Sequence, residues 1–437
     1  MASATGKLAG GGGGAPEAAP GWITKLGAGF RALRHRNYRL FFFGQFISLI
    51  GTWMQSVAQA WLVLSLAGKD GDLLLGVTTA LQFTPVLLFS VFGGALADRL
   101  PKRSVLMVTQ SVMLVLALVL AVLNSLGIVQ VWHVLVLAAL LGTTSAIDMP
   151  TRQAFIVELV GKDDLMNSIA LNSSVFNAAR IIGPGVAGLL IHWVGVSGCF
   201  YLNAASFLAV LTGMALMRPP FFTRPGAAKG GAPLSGGFRY IWHTPDVRAL
   251  MILVGVVGTF GLNLTVWMPV LARDVLGVGA AGYGVMMSAM GVGALAAGLL
   301  LAYRGKKAQR SLVLAAAGIF GIVLLAVAVT RWFPVTLGLM AVMGAAMVAF
   351  SATANTTVQL LVPDELRGRV MAVYMMVFAG TTPIGSLLAG GIAHALGTPA
   401  SIAAGAGTSL LAVIALWLGM RRESPAAGRV PSALPNG

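Results

Sequence analysis

Residues 311–329 read SLVLAAAGIFGIVLLAVAV, an apolar run with no charge and no proline, set between Arg310 and Arg331. Wound as a helix rising about 1.5 Å per residue, this run reaches about 28 Å, close to the ~30 Å hydrocarbon core of a bilayer. Lipid offers no partner to a backbone N–H or C=O, so a segment this apolar crosses as a helix, which satisfies those groups internally. The same pattern recurs along the chain. Apolar segments at 38–66, 73–97, 104–126, 132–155, 165–193 and 198–217 precede six more at 247–271, 280–302, 311–329, 334–361, 370–396 and 400–420. The expectation is an all-α membrane protein with twelve spans. The 57% hydrophobic and 10% charged composition agrees, since soluble domains carry about 25% charged residues. An outer-membrane barrel is excluded because its strands alternate over about ten residues instead of running continuously apolar.

The net charge of +16 does not indicate nucleic acid, because the basic residues sit in short clusters between apolar segments. Clusters of that kind suit loops facing anionic lipid. Of the 29 lysines and arginines, 25 fall on the side of the N-terminus, while Lys69, Arg273 and Arg331 fall opposite and Arg180 lies within the fifth span. The positive-inside rule then puts both termini in the cytosol of a cell with the protein in its inner membrane. Cys199 is the single cysteine, so an intrachain disulfide is excluded. The five histidines form no pattern for a metal, and no phosphate-binding Gly-x-x-x-x-Gly-Lys-Ser/Thr loop is present. Neither a cofactor nor an enzyme activity is expected.

Residues 1–36 read as a disordered cytosolic tail rich in small residues, 37–217 as a first six-helix bundle, and 218–246 as a cytosolic linker rich in proline and glycine. Residues 247–420 read as a second six-helix bundle and 421–437 as a cytosolic tail. Phe238, Tyr240, Ile241 and Trp242 suggest a short interfacial helix before Pro245. The halves echo each other. Ser145-Ala146, Gln153, Leu165, Phe176 and Ile182-Gly183 are matched in order by Ser351-Ala352, Gln359, Leu366, Phe378 and Ile384-Gly385. Internal repeats of this kind belong to transporters that rock two bundles about a central site.

Three passages resemble the major facilitator superfamily, within it the branch of bacterial drug-efflux proteins and enterobactin exporters. These are Gly94-Ala95-Leu96-Ala97-Asp98-Arg99-Leu100-Pro101-Lys102-Arg103, Asp148-Met149-Pro150-Thr151-Arg152-Gln153-Ala154, and Pro363-Asp364-Glu365-Leu366-Arg367-Gly368-Arg369-Val370. The stretch from Asn177 to Gly188 is similar to the fifth-span motif of exporters that exchange substrate for protons. Pro101 departs from the loop motif, and Tyr303-Arg304-Gly305-Lys306-Lys307 lacks the aspartate that would match Asp98. The resemblance implies alternating access by two bundles, with a gate strongest on the first half.

Individual residues follow from depth and spacing. Asp98 ends the second span, where it is either a charge fixing topology or a gate that accepts from the start of the eleventh span near Gly368. Lys102 is placed to pair with Glu158. Asp148 and Arg152 share one face of the fourth span, Asp148 about 18 Å deep, and Arg180 lies about 22 Å along the fifth. An unpaired charge there costs several kcal/mol, which leaves three readings: a structural ion pair, a protonatable Asp148, or substrate contact by Arg152 or Arg180. Polar stripes on other spans must face a neighbouring helix or a water-filled cavity; any one residue can serve to join helices, and the joint pattern marks a cavity: Gln45, Ser48, Thr52, Gln55 and Gln59; Thr259 and Asn263 with Trp267; Ser351, Asn355 and Gln359; Tyr374 and Thr381. Its walls would include Trp53, Phe176, Phe378, Met54, Met268, Met286 and Met287, suiting a lipophilic substrate, cationic or aromatic. The expected function is proton-coupled export of a small lipophilic or amphiphilic compound by a monomer among membrane lipids. The alternatives are an importer or uncoupled facilitator, and a receptor or lipid-moving protein that transports no solute.

Overall fold

The computed structural model describes residues 30–219, 235–304 and 310–423. The helices are α1 (Arg36–Ala67), α2 (Gly71–Arg99), α3 (Lys102–Ser125), α4 (Val131–Val160) and α5 (Leu165–Ala215). A short α6 (Ser235–His243) leads into α7 (Pro245–Val256) and α8 (Leu264–Val270), which are separated by a π turn at Val257–Gly261. They are followed by α9 (Gly279–Arg304), α10 (Arg310–Val329), α11 (Phe333–Leu361), α12 (Asp364–Leu396) and α13 (Thr398–Glu423). No strand occurs among the described residues.

Ten stretches are long and apolar enough to cross a membrane, and two are too long for one crossing. Arg36–Ser90 has 55 residues and Leu165–Ala215 has 51, roughly 75–80 Å of helix against a ~30 Å core. The first turns back at Gly68 (φ 55°) and the second at Gly195 (φ 71°), backbone that glycine adopts without a Cβ penalty. Divided there, the ten stretches give twelve legs. The expected fifth and sixth spans are thus the two legs of α5.

The legs form two groups with the same internal pairing. In the first half α1 packs along α5, α2 along α4, and α3 against α4 and the second leg of α5. In the second half α9 packs along α11, α10 against α11 and α13, and the π turn of the seventh span against α12 and α13. Close approach comes from small residues, as expected where lipid removes the hydrophobic drive between helices. A Cβ at Gly142 of α4 would lie 2.1 Å from the Gln82 carbonyl oxygen of α2, and one at Gly293 of α9 would lie 1.7 Å from that of Ala341 in α11.

The halves touch each other along α2 with α12 and α5 with α9. Both pairs run antiparallel and both are tight at one end only. A Cβ at Gly76 would meet the Ser386 carbonyl oxygen at 2.4 Å, and one at Gly390 the Asp72 carbonyl oxygen at 2.7 Å. Continuing the register sets Leu87 against Gly380, 3.5 Å from its Cβ position, and would bring Asp98 opposite Gly368. By then the helices have parted, since Gly94 and Gly368 have no atom within 4 Å of a Cβ. On the other pair, Ser288 Oγ donates to the Ile181 carbonyl at 2.8 Å, and Gly188 abuts Ala281. Contact lapses below Ile181 and Gly291: Gly298 meets nothing, and Met166, Ile169 and Phe176 are exposed. Arg273 Nη1 adds a bond across the tight end, 2.6 Å to the Leu64 carbonyl.

Three expected boundaries shift. Residues 31–36 are ordered, with a single turn at Arg31–Arg34 fixed by Arg31 and His35 to Asp164 and by the Ala32 N–H to Asn167 Oδ1. Hydrogen bonds from His35 and Arg31 hold the Asp164 carboxyl below the usual carboxylate range. The linker is helical from Ser235, and α13 runs to Glu423 into the expected tail. The remainder of the tail, linker and C-terminal assignments, at 1–29, 220–234 and 424–437, lies outside the described residues.

Gly142→Val forces a side chain into the α2 backbone and is expected to lower stability by about 1–3 kcal/mol. Gly338→Val, at an exposed glycine with open space around it, is expected to leave thermal unfolding in detergent unchanged.

Candidate functional site

The deep charges are arranged around α4. Pro150 lacks an N–H, which deprives the Ala146 carbonyl of its helical partner; Gly93 of α2 lies against that oxygen. Asp148 lies within this stretch, only 1% exposed. Its Oδ1 accepts from Thr109 Oγ1 at 2.7 Å and from Gln110 Nε2 at 2.8 Å, both on α3, and its Oδ2 pairs with Arg152 one turn along α4. A buried carboxylate with three donors and one cation is compensated in the way low dielectric demands. Thr109 and Gln110 escaped the sequence reading. They stand on the third span, whose polar residues form no long stripe, although their depth matches that of Asp148. Arg152 is about one-fifth exposed, whereas Asp148 is almost wholly covered.

Arg180 differs. Its Nε and Nη2 are buried and make no hydrogen bond, and no ion pair to it occurs among the described residues. It stands one residue before Ile181, where contact between α5 and α9 ends. Phe176 lies one turn below it, 42% exposed, with its ring edge-on to Trp53 of α1 at 5.7 Å.

Of the expected cavity residues, Thr52 is exposed, with Ser56 one turn further on, and Asn355 and Gln359 are half-buried. Gln359 Nε2 donates to Asn355 Oδ1 at 2.6 Å. Gln45 and Gln59 are buried, on the edge of the stripe. Several others are corrected. Gln55 faces the second leg of α5, where Asn203 Nδ2 donates to its Oε1, because an amide in lipid is satisfied as well by a neighbouring helix as by a cavity. Trp267 is 1% exposed and donates from Nε1 to Ser401 Oγ of α13 at 2.9 Å, deep inside the second half. Tyr374 is buried and stacks on Phe378. Asn263 is buried where the seventh span unwinds, its Nδ2 donating to the Thr259 carbonyl at 2.7 Å beside Gly385. Met54, Met268, Met286 and Met287 are all buried in the hydrophobic core, so methionine contributes packing here and no adaptable wall.

The expected Lys102–Glu158 pair forms: buried Lys102 donates from Nζ to Glu158 Oε1 at 2.7 Å, joining α3 to α4 within the first half. Gly368 does not begin the eleventh span. That helix starts at Asp364, and Asp364 and Glu365 already occupy its positive end, with Asp364 paired to Arg367. Asp98 is exposed at the close of α2 on the parted side. Any contact it makes to α12 is therefore with the helix flank and its dipole, one turn past the free N–H groups.

A family model described as transmembrane secretion effector matches residues 27–434. The staphyloferrin A transporter of Staphylococcus aureus is 29% identical over 368 residues, covering 80% of this chain and 88% of its own. The multidrug efflux pump Tap of Mycolicibacterium fortuitum is 28% identical over 388 residues, covering 85% and 93%. The enterobactin exporter EntS of Shigella boydii is 26% identical and covers 88% and 91%. Among solved structures, the nucleoside transporter NupG shares the fold with a TM-score of 0.70 at 12% identity, covering 86% of this chain and 99% of its own. The two-half helical fold, the deep ion pair within α4 and a family model covering nearly the whole sequence agree: this chain belongs to the transmembrane secretion effector family of the major facilitator superfamily, and it is a multi-pass membrane transporter, not an enzyme.

Proposed function

We propose that the protein exports a small amphiphilic or lipophilic compound from the cytosol by alternating access, driven by protons. The observation that carries this reading is the asymmetry between the halves, tight at the Asp72 end and parted at the Asp98 end. The charge distribution along the sequence puts the Asp98 end and both termini in the cytosol of the cytoplasmic membrane. The described state is then inward-open, with a cleft that admits substrate between α5 and α9 and between α2 and α12. Two relatives, named as a multidrug efflux pump and an enterobactin exporter, support the direction.

Asp148 is the acidic group placed to exchange a proton. A proton on its carboxyl removes the charge that holds Arg152 and frees the guanidinium to turn toward the cleft. Reloading the pair restores the neutral, buried arrangement that can cross between states at low cost. Asp98 opposes the flank of α12 near Gly368, within the first turns of that helix, once the parted ends approach. One observation favours an uncoupled facilitator instead: Asp148 is fully satisfied by Thr109, Gln110 and Arg152, as a purely structural pair would be.

Transport of fluorescent dyes into everted vesicles, with and without an imposed pH gradient, tests the reading; uptake indifferent to the gradient would leave facilitation. Asp148→Asn is expected to abolish substrate-dependent proton movement, and unaltered proton flux would remove Asp148 from coupling. Breaking one side of the pair, by Asp148→Asn or Arg152→Gln alone, should cost about 3–5 kcal/mol if the site stays dry. The double variant should recover much of that, as read by thermal unfolding in detergent. Asp98→Asn should increase maleimide labelling of a cysteine placed at Ile169 on the parted side, and identical labelling counts against the gate.

A further inference from the structure

Charge bookkeeping at membrane depth leaves one group without an answer. Asp148 and Arg152 neutralise each other, Lys102 and Glu158 do the same nearer the Asp98 end, and Arg273 is paired with Asp274 at the tight end. Arg180 has no counter-charge among the described residues, and two of its guanidinium nitrogens are buried without an acceptor. A cation held this way is strongly unfavourable unless something supplies the acceptor. Its position supplies the second clue. Arg180 sits at the apex where the two halves close, directly above the part of α5 that is open. The residue as a whole is half-buried, and Nη1 is the guanidinium nitrogen that is not among the buried, unpartnered atoms. One turn below lie the exposed Phe176 ring and Trp53, set edge to face.

We propose that Arg180 and the Trp53–Phe176 pair form an anion subsite that takes an aromatic carboxylate, the anionic group on the guanidinium and the ring on the aromatic shelf. Guanidinium and carboxylate match in fork geometry, and the bond between them strengthens away from water. Substrate bound there supplies the missing acceptor and neutralises the apex, which lets α5 and α9 rearrange without carrying a bare charge. The inference rests on the transport reading and narrows it. It assigns the substrate an anionic group where composition alone had suggested a lipophilic or cationic one.

The experiment uses three matched probes: 2-naphthoate, the neutral 2-naphthalenemethanol, and (2-naphthylmethyl)trimethylammonium. Binding is followed by thermal stabilisation of the full-length purified protein at millimolar probe. Naphthoate is expected to stabilise, and the other two are not. Arg180→Gln should weaken naphthoate binding roughly tenfold or more, the loss expected for a charge-assisted bond. Arg180→Lys should retain part of the binding, and Phe176→Ala should weaken naphthoate binding while leaving its dependence on Arg180 in place. Without ligand, Arg180→Gln should unfold at the same temperature as the wild type or higher, because an orphan charge has been removed. A lower unfolding temperature would reveal a structural partner and overturn the subsite. So would equal stabilisation by the neutral alcohol, no effect of naphthoate, or an effect that survives in Arg180→Gln. Dye efflux in everted vesicles separates this from the transport reading. Active efflux with no naphthoate effect defeats the subsite alone, whereas Arg180-dependent binding with no solute movement defeats transport alone.

Discussion

Hydrocarbon cannot accept or donate a hydrogen bond, and that constraint shapes every level of this molecule. It forces the backbone into helices and sends hydroxyls back onto their own turns, as with Thr52 to Ser48, Ser145 to Leu141 and Thr151 to Ile147. It joins helices by amides, as with Asn203 and Gln55, and it gathers Thr109, Gln110 and Arg152 around one carboxylate. Most polar side chains in the described spans have a partner or an open face; Gln110 Oε1, Thr353 Oγ1 and Thr357 Oγ1 are buried without one, and so are two nitrogens of Arg180, the one charged group among these.

The same solvent explains why the halves can separate. Within each half, carbonyls approach glycines closely over whole helices. Between the halves such contact is confined to one end, where Gly76 meets Ser386 and Gly188 meets Ala281. Contacts of that kind are van der Waals packing with few polar bonds, Ser288 to Ile181 and Arg273 to Leu64 among them. Little has to be broken, and lipid tails exact no hydrophobic penalty for parting apolar faces. An interface able to open at one end and close at the other is a physical requirement for moving a solute, and here it is built from small residues.

Among the described residues, the deep charges lie in the first half. The buried pair on α4 is neutral, its arginine partly exposed and its aspartate shielded. Arg180 on α5 lies at the top of the same cleft beside two aromatic rings. The second half offers the unwound seventh span at Asn263 and neutral amides on α11, but no charge at depth among the described residues. The two halves share an architecture and divide the chemistry unequally.

The apolar runs by themselves determined a helical membrane protein of twelve legs in two related halves, because hydropathy and length report on lipid directly. The sequence also determined that Asp148, Arg152 and Arg180 are deep and that Lys102 can reach Glu158, since rise per residue and helical spacing are local quantities. It did not reveal which way a polar stripe faces. Gln55, Trp267 and Tyr374 have the residue types of a cavity wall, yet they turn inward onto neighbouring helices, because an amide or indole is satisfied equally by a helix and by water. Only the tertiary structure set Thr109 and Gln110 against Asp148, put Gly368 a turn inside its helix, and left Arg180 alone. Those outcomes depend on which helices meet and where they part, and a single chain read residue by residue carries no record of that.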